Sequence, residues 1–359
     1  MKRLQRYLLL FGTVAALVTV AGFVIDPGDF FRSYLFVFLF CLGLSLGCLA
    51  NLMLHEVTGG RWGVPLRAPM TAAARLVPLN ILLFVPLLFG LPFLYHWMGS
   101  TSTTLASKHW WLNEPGFLVR AGLYLLVWSV FAWRWIVIAG RAGEIRPPAL
   151  RRLSAVGLIV YGLTVSLASV DWIMSLMPQW YSTTFGLLIG TSQMLSGLAL
   201  GVVACAFLDA RTTDAGRFAD FGNLLLTYVM TWAYLAFTQY LIIWAEDLPK
   251  ETDWYIPRVQ TSWRWLTLTV FVLQFALPFA VLLFRVVKRA PRFLGPLALL
   301  LLCGALLFDF YLVTPVLKPK GFAVAWSDPV VMVAVLGLWA AAWLRSLRRS
   351  ASGAMRAAS

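Results

Sequence analysis

The chain has 359 residues, of which 60% are hydrophobic and only 12% are charged. A soluble domain of this size could not cover its surface with so few charged side chains. The composition therefore excludes a water-soluble protein and predicts an all-α integral membrane protein.

Ten apolar runs are long enough to cross a bilayer, because one helical crossing needs roughly 20 apolar residues. In chain order they cover residues 7–25, 31–54, 75–97, 117–140, 153–174, 183–208, 221–245, 262–287, 293–312 and 329–344. The connections are too short for a separate folded unit, so residues 1–359 are predicted to form one polytopic membrane domain. The first run is long for the apolar core of a cleaved signal peptide and is interpreted as a retained span.

The basic residues predict the orientation. Of the 29 lysines and arginines, 20 fall on the side of the N-terminus, eight on the opposite side and one, Arg134, well inside a span. Short cytoplasmic loops are enriched in Lys and Arg, so both termini are predicted to be cytoplasmic. The same bias explains the net charge of +14 without a nucleic-acid partner. Anionic lipid head groups are the expected counterpart.

Polar side chains within or at the ends of the apolar runs are the candidates for function, because placing them in hydrocarbon is costly. In chain order the candidates are His55, Glu56, His96, Arg134, Tyr161, Thr164, Asp171, Thr231, Tyr234, Glu246 and Asp309. Hydroxyl groups at helical spacing that lead to a carboxylate are typical of a proton path. The alternative is that Ser and Thr hydroxyls only allow helices to pack closely and hydrogen-bond.

Asp171 is the most informative of these candidates. It ends the fifth run within the segment SVDWIMSLMPQWYSTTFG, and aromatic residues typical of a membrane interface follow it. Tyr161 and Thr164 are on the same helical face. Desolvation is expected to favour the neutral carboxyl group, which predicts a proton-path residue with Glu246 or Asp309 as partners. Arg134 is expected either to reach the interface or to pair with a neighbouring span.

The cysteines and histidines provide no recognisable cofactor site. The four cysteines lie within apolar runs and form no CxxC or CxxCH motif, and the three histidines lie near the ends of spans. Iron–sulfur clusters and covalent haem need such cysteine motifs, and a membrane haem needs paired histidines. The chain is therefore predicted to have no metal, no redox cofactor of its own and no catalytic residue.

Four segments together resemble a known family. They are Leu54–Trp97, Trp111–Trp128, Ser169–Gly186 and Trp232–Tyr255, and they contain LHEVTGGRWG, WLNEPGFLVRAGLYLLVW, SVDWIMSLMPQWYSTTFG and WAYLAFTQYLIIWAEDLPKETDWY. In this order they resemble the ActF-type membrane subunit of alternative complex III, a member of the NrfD/PsrC-like family. His55 and Asp171 match motif positions of that family.

The resemblance implies two four-helix bundles plus two flanking helices. It also implies a subunit of a quinol-oxidising respiratory complex in the bacterial inner membrane, in which this chain either conducts protons or acts as a structural anchor. Quinone or quinol would bind within the complex, in a pocket of the sister NrfD-like membrane subunit. Haem c and iron–sulfur clusters would belong to partner subunits. The expected partners are that sister subunit, an iron–sulfur subunit, multihaem and monohaem cytochrome c subunits, other small membrane subunits and a terminal oxidase. A secondary transporter is the alternative from a different class, although no paired helix breaks typical of transporters are visible in the sequence.

Overall fold

The computed structural model describes residues 2–98, 108–141, 147–208 and 214–358. Within these ranges the chain is helical and has no β-strand. Eight helices are long and apolar enough to cross a membrane, and a bent pair of helices adds a ninth crossing. The first predicted span is also helical and packs against the last helix. This confirms the prediction of an all-α, multi-pass membrane protein of about ten helices.

The main helices are α1 (Lys2–Ile25), α2 (Pro27–Thr58), α3 (Gly63–Ala74), α4 (Leu79–Leu94), α5 (Glu114–Arg141), α6 (Pro148–Trp172), α7 (Phe185–Leu208), α8 (Ala215–Glu246), α9 (Arg264–Phe271), α10 (Leu277–Leu282), α11 (Pro291–Leu317) and α12 (Ser327–Ala358). A π-helical turn, Val272–Ala276, joins α9 and α10. Short helices occupy Met174–Leu176, Pro249–Thr252, Ile256–Gln260 and Arg285–Arg289. Local chemistry sets some of these ends: Asp26 and Asp214 cap α2 and α8 by accepting hydrogen bonds from backbone N–H groups.

The third crossing differs from the expected straight span over residues 75–97. It begins earlier, in α3, and it bends by 42° between α3 and α4. Pro78 lies at the break and has no N–H to donate, which frees backbone carbonyls in the preceding turn. The carbonyl of Ala74, four residues before Pro78, accepts instead from the Val77 N–H at 3.1 Å. The side chain of Asn80 donates to the carbonyls of Leu76 and Val77, at 3.2 and 3.0 Å. The backbone at the break is therefore hydrogen-bonded inside the molecule, whereas Oδ1 of the buried Asn80 has no partner within the described residues.

The eighth crossing also differs from its predicted limits, 262–287. It consists of α9, the π-helical turn and α10, and it ends at Leu282. Arg285–Arg289 is a separate short helix with basic residues in its last turn. A charged segment of this kind is more stable at the interface than in hydrocarbon, so the span ends before it.

The crossings form two four-helix bundles. In the first, α2 contacts α4, α4 contacts α5, α5 contacts α6 and α6 returns to α2. In the second, α7 contacts α8, α8 contacts the α9–α10 segment, that segment contacts α11 and α11 returns to α7. Helix α2 also packs on α7 and α11, so it joins the bundles and is buried along its whole apolar stretch. This arrangement agrees with the double bundle that the family resemblance implied.

The junction between the bundles depends on small residues. Gly47 of α2 and Gly197 of α7 lie against each other's helix, where an added Cβ at either position would overlap backbone atoms. The thiol of Cys48 donates to the carbonyl of Gly197 at 3.5 Å. Without a hydrophobic driving force between helices in lipid, such close contact is a main source of helix association.

The two flanking helices, α1 and α12, run antiparallel outside the bundles. Gln5 hydrogen-bonds to Arg348 near one end of the pair, and Gly12 lies against Leu338 further along. The described ends of the chain therefore lie on the same side of the molecule. On the opposite side a buried ion pair fixes α12 to α2, because Arg32 donates to both carboxylate oxygens of Asp328 at 3.0 and 3.2 Å.

Candidate functional site

Asp171 lies at the end of α6 and is completely buried. Its carboxylate accepts two hydrogen bonds from Arg120, from Nε at 2.9 Å and from Nη2 at 2.8 Å. It accepts two more, from Trp111 Nε1 at 2.8 Å and from Tyr124 Oη at 2.9 Å. The Asp171 backbone carbonyl accepts a hydrogen bond from Ser175. The side chain is thus the centre of a buried ion pair and of a hydrogen-bond network, which we call the Asp171 hub (Trp111, Arg120, Tyr124 and Asp171).

The hub joins two of the segments that carry the family resemblance. Its three donors all come from Trp111–Trp128, and its acceptor comes from Ser169–Gly186. The Trp111 ring also lies 4.2 Å from the guanidinium carbon of Arg120, a distance that allows a cation–π contact. In the sequence Arg120 counts only among the eight basic residues on the side opposite the N-terminus, since nothing local links it to an aspartate 51 positions away.

The expected partners of Asp171 lie elsewhere. Glu246 is exposed at the end of α8, next to Asp247, which has the left-handed backbone conformation that ends that helix. Asp309 lies within α11, and neither carboxylate is among the hydrogen-bond partners of Asp171 in the described part of the chain. The sequence-based expectation for Asp171 considered burial alone. In the structure the oppositely charged Arg120 is in direct contact with its carboxylate, at 2.8 Å.

Asp309 lies on the wall of a small internal cavity between the two bundles. The cavity has a volume of about 20 Å³, and its polar lining consists of Ser192, Gln193, Ser196 and Asp309. This volume has room for a single water molecule, which needs roughly 10–15 Å³ measured in the same way. In the described part of the chain no group hydrogen-bonds the Asp309 carboxylate, in contrast to the four bonds on Asp171. The carboxylate thus keeps its acceptor capacity for whatever enters the cavity.

A polar row leads from this cavity into the interior. Tyr161 donates from its hydroxyl group to Gln193 Oε1 at 3.0 Å and to the carbonyl of Gly190 at 3.2 Å. Asn51 of α2 donates to the carbonyl of Met194, the next residue after Gln193, at 2.7 Å. Tyr228 of α8 donates to Asn51 Oδ1 at 2.9 Å. We call Asn51, Tyr161, Gln193, Tyr228 and Asp309 the central polar row.

His55 and Glu56 lie one turn beyond Asn51 on α2 and are both buried. The carbonyl of Gly60 lies 3.0 Å from His55 Nε2, in a turn where Gly59 and Gly60 have positive φ. Only glycine adopts such φ values at little cost, which accounts for the paired glycines of the HEVTGGRWG motif. Glu56 Oε1 is 3.8 Å from Nη2 of Arg67. His55 and Glu56 are therefore a titratable pair at one end of the central polar row, on the side of the molecule opposite the Asp171 hub.

The other predicted residues do not join the row. Thr164 accepts from Trp128 Nε1 at 2.7 Å and donates to the carbonyl of Val160, so it serves helix packing. Thr231 and Tyr234 are exposed on the outer face of α8, and the Thr231 hydroxyl donates to the Thr227 carbonyl of its own helix at 2.8 Å. His96 is exposed in the turn after α4. Arg134 is exposed on α5 and has no ion pair within the described residues, which favours the interfacial placement over pairing.

Sequence reasoning missed several members of these sites. Asn51, Ser192, Ser196 and Tyr228 are single polar residues within long apolar runs, and the only signal was their cost in hydrocarbon. Across the described ranges no group of three His, Cys, Asp or Glu side chains is close enough to hold a metal ion. Comparison with models of known protein families and with curated proteins finds no match to this chain.

Proposed function

We propose that this chain is a membrane subunit of a quinol-oxidising respiratory complex of the alternative complex III type, and that it conducts protons through the central polar row. The haem c and iron–sulfur clusters of that complex belong to its partner subunits in this proposal. The family resemblance of the four sequence segments supports the assignment to the complex. The proton role is supported by one structural observation, the unpartnered Asp309 carboxylate beside a cavity that can hold a water.

The geometry gives each residue a distinct role in this proposal. Asp309 accepts and releases the proton, because it has no fixed hydrogen-bond partner and faces a polar cavity. Tyr161 relays between this cavity and the bundle interior, since hydroxyl groups with intervening water can pass a proton, and Gln193 orients the hydroxyl by accepting its hydrogen bond. Glu56 is the exchanging group at the opposite end. Asp171 holds α5 to α6 through the Asp171 hub.

A purely structural anchor is the second candidate function, and the Asp171 hub favours it. Four hydrogen bonds on one buried carboxylate are the arrangement expected of a residue that fixes two helices. A secondary transporter has less support. The bent crossing is the second helix of the first bundle, whereas the π-helical turn is in the third helix of the second bundle. Transporters with repeated halves break corresponding helices.

The proposal is tested in the intact complex. Purification through a tag on this chain should yield haem and iron–sulfur proteins in fixed ratio. After reconstitution into liposomes, Asp309→Asn should leave quinol oxidation within about twofold of the parent while the number of protons moved per electron falls. Asp309→Glu should restore it, because the carboxylate returns. Glu246→Gln is the matched control, since it removes an exposed carboxylate. An unchanged proton count in Asp309→Asn would refute the proton role and leave the structural anchor.

A further inference from the structure

The second bundle contains a large lateral cavity of about 480 Å³. Its walls come from α7, α8, α9, α11, the π-helical turn and the segment 254–259. They are almost entirely apolar or aromatic, and Phe185, Trp232, Phe237, Phe271, Phe275 and Phe308 form much of the lining. A volume in this range with such a lining is typical of a site for a small apolar ligand.

The cavity opens toward the lipid. Phe237 of α8 and Phe271 of α9 are both lining residues, and both are exposed on the outer surface of the bundle. In a membrane, molecules can therefore enter sideways between these two helices. The surrounding solvent at this depth is hydrocarbon, so the molecules that reach the opening are lipids and lipid-soluble compounds.

The length of the cavity matches one leaflet. On α8 its lining extends from Met230 to Tyr240, which is ten residues or about 15 Å along the helix axis. The hydrocarbon core of a bilayer is about 30 Å thick, so the cavity covers about half of it. One acyl chain of a phospholipid has this reach.

The polar groups at the cavity end nearest the Asp171 hub already bind each other. Gln239 donates to the Tyr255 hydroxyl at 2.9 Å and accepts from Ser182 at 3.1 Å. Thr267 donates to the backbone carbonyl of Arg258 at 2.9 Å. At this end of the cavity the paired groups present little unmet hydrogen-bonding capacity to a ligand, whereas Trp232 Nε1, further along the lining, has no hydrogen-bond partner within the described residues. A plain hydrocarbon chain therefore suits this end of the cavity better than a ring that carries carbonyl groups.

A basic residue lies above the opening. Arg264 is exposed at the first position of α9, one turn before Thr267 and two turns before Phe271, which both line the cavity. Residues at this spacing share a helical face. Arg264 thus lies at the interface end of the cavity, where its guanidinium carbon is 5.3 Å from the Trp265 ring centre, and Arg binds phosphate groups well through paired donors.

We propose that this cavity is a phospholipid site, in which one acyl chain fills the space between α8 and α9 and the lipid phosphate binds Arg264. The lipid replaces contacts that the aromatic walls would otherwise lack, since an apolar void loses its dispersion contacts on every side. The site is separate from the central polar row, which lies between the two bundles, and it does not depend on proton conduction.

The experiment uses the intact protein in nanodiscs made from phosphatidylethanolamine and phosphatidylglycerol. A phospholipid with a diazirine near the end of its acyl chain is added, the sample is irradiated, and labelled peptides are identified by mass spectrometry. Labelling is expected in Met230–Tyr240 of α8 and in Val270–Phe275. After extraction with mild detergent, one phospholipid should remain bound per protein in native mass spectra.

Two variants and two controls make the test specific. Arg264→Gln should lower the retained phospholipid about fivefold, because a basic residue at the interface contributes about that factor to phosphate binding. Ala236→Phe should remove most labelling of α8 by filling the cavity. Arg285→Gln, an exposed arginine near the other end of the eighth crossing, and Leu126→Phe, on the exposed face of α5, should change neither. Labelling equal in Ala236→Phe and parent would overturn the proposal, as would a retained quinone in place of phospholipid.

Discussion

Replacing Asp171 by Asn tests whether the Asp171 hub is structural. The substitution keeps the shape of the side chain but removes its charge and turns one acceptor oxygen into a donor. Arg120 Nε and Tyr124 both donate to Oδ2, so an amide nitrogen there would face two donors. If the amide flips, its nitrogen instead faces Trp111 Nε1 and Arg120 Nη2, which both donate to Oδ1. In either orientation two of the four hydrogen bonds are lost.

The magnitude follows from burial. Asp171 is fully buried, and the Arg120 side chain is 17% exposed. Removing one partner of a buried ion pair typically costs about 3–5 kcal/mol, because the remaining charge is left without compensation. Water can reach part of Arg120, so we expect about 3 kcal/mol, near the lower end of this range. The loss should appear as reduced resistance to unfolding, with partial failure of assembly at the growth temperature.

The assay is unfolding in mixed micelles, followed by the fluorescence of the tryptophans around the hub. Arg120→Gln and the double variant Arg120→Gln/Asp171→Asn complete a double-mutant cycle, in which a coupling energy above about 1.5 kcal/mol is expected for a contacting charged pair. Glu246→Gln is the control and should stay within about 0.5 kcal/mol of the parent, because its carboxylate is exposed. Asp171→Asn with parental stability and a reduced proton count per electron would refute our reasoning and return Asp171 to the proton path.

Three further predictions concern the framework. Gly47→Ala should prevent normal packing of α2 on α7, and the monodisperse peak in size-exclusion chromatography should be lost. Gly122→Ala is the control and should elute like the parent, because its added Cβ would meet no atom within 4 Å. Arg258 donates to the carbonyl of Tyr311, which has no helical N–H partner because residue 315 is a proline. Arg258→Met should therefore lower the free energy of unfolding by about 1.5–3 kcal/mol. An unchanged melting temperature would exclude this capping role. Gln274 is fully buried in the π-helical turn, and neither amide atom has a hydrogen-bond partner in the described chain. Because a buried polar group without a partner is destabilising, Gln274→Leu should raise the free energy of unfolding by about 1–3 kcal/mol in the same assay. A loss of stability there would mean that the amide has a bound water or a partner subunit as its ligand.

The charge of Arg258 is relevant to that second prediction. Its guanidinium lies 3.8 Å above the Trp254 ring and 4.9 Å from that of Tyr311, and it forms no ion pair within the described residues. Burial lowers the pKa of Arg258 to about 10, although the nearby Tyr311 and Tyr255 partly oppose the shift. The side chain therefore remains protonated near neutral pH, and its capping of the Tyr311 carbonyl should be independent of pH from about 6 to 8.

The positions of the membrane helices could be predicted from the sequence because the signal is local. A crossing helix satisfies its own backbone hydrogen bonds and needs only an apolar run of sufficient length. The predicted runs over 31–54, 117–140 and 221–245 all lie within observed helices. The bent third crossing was harder to predict, since α3 is less apolar than α4 and its sequence resembles a loop between two spans.

The candidate site depended on tertiary structure. Asp171 and Asp309 are similar in sequence, each a single carboxylate near the end of an apolar run, yet one has four hydrogen bonds and the other faces a cavity. The hydroxyl stripe on α8 has the same spacing as the one on α6, but Thr231 is exposed while Tyr161 is buried against Gln193. Helical spacing determines which residues share a face. Which face turns inward depends on the neighbouring helices, and those contacts join residues far apart in the chain.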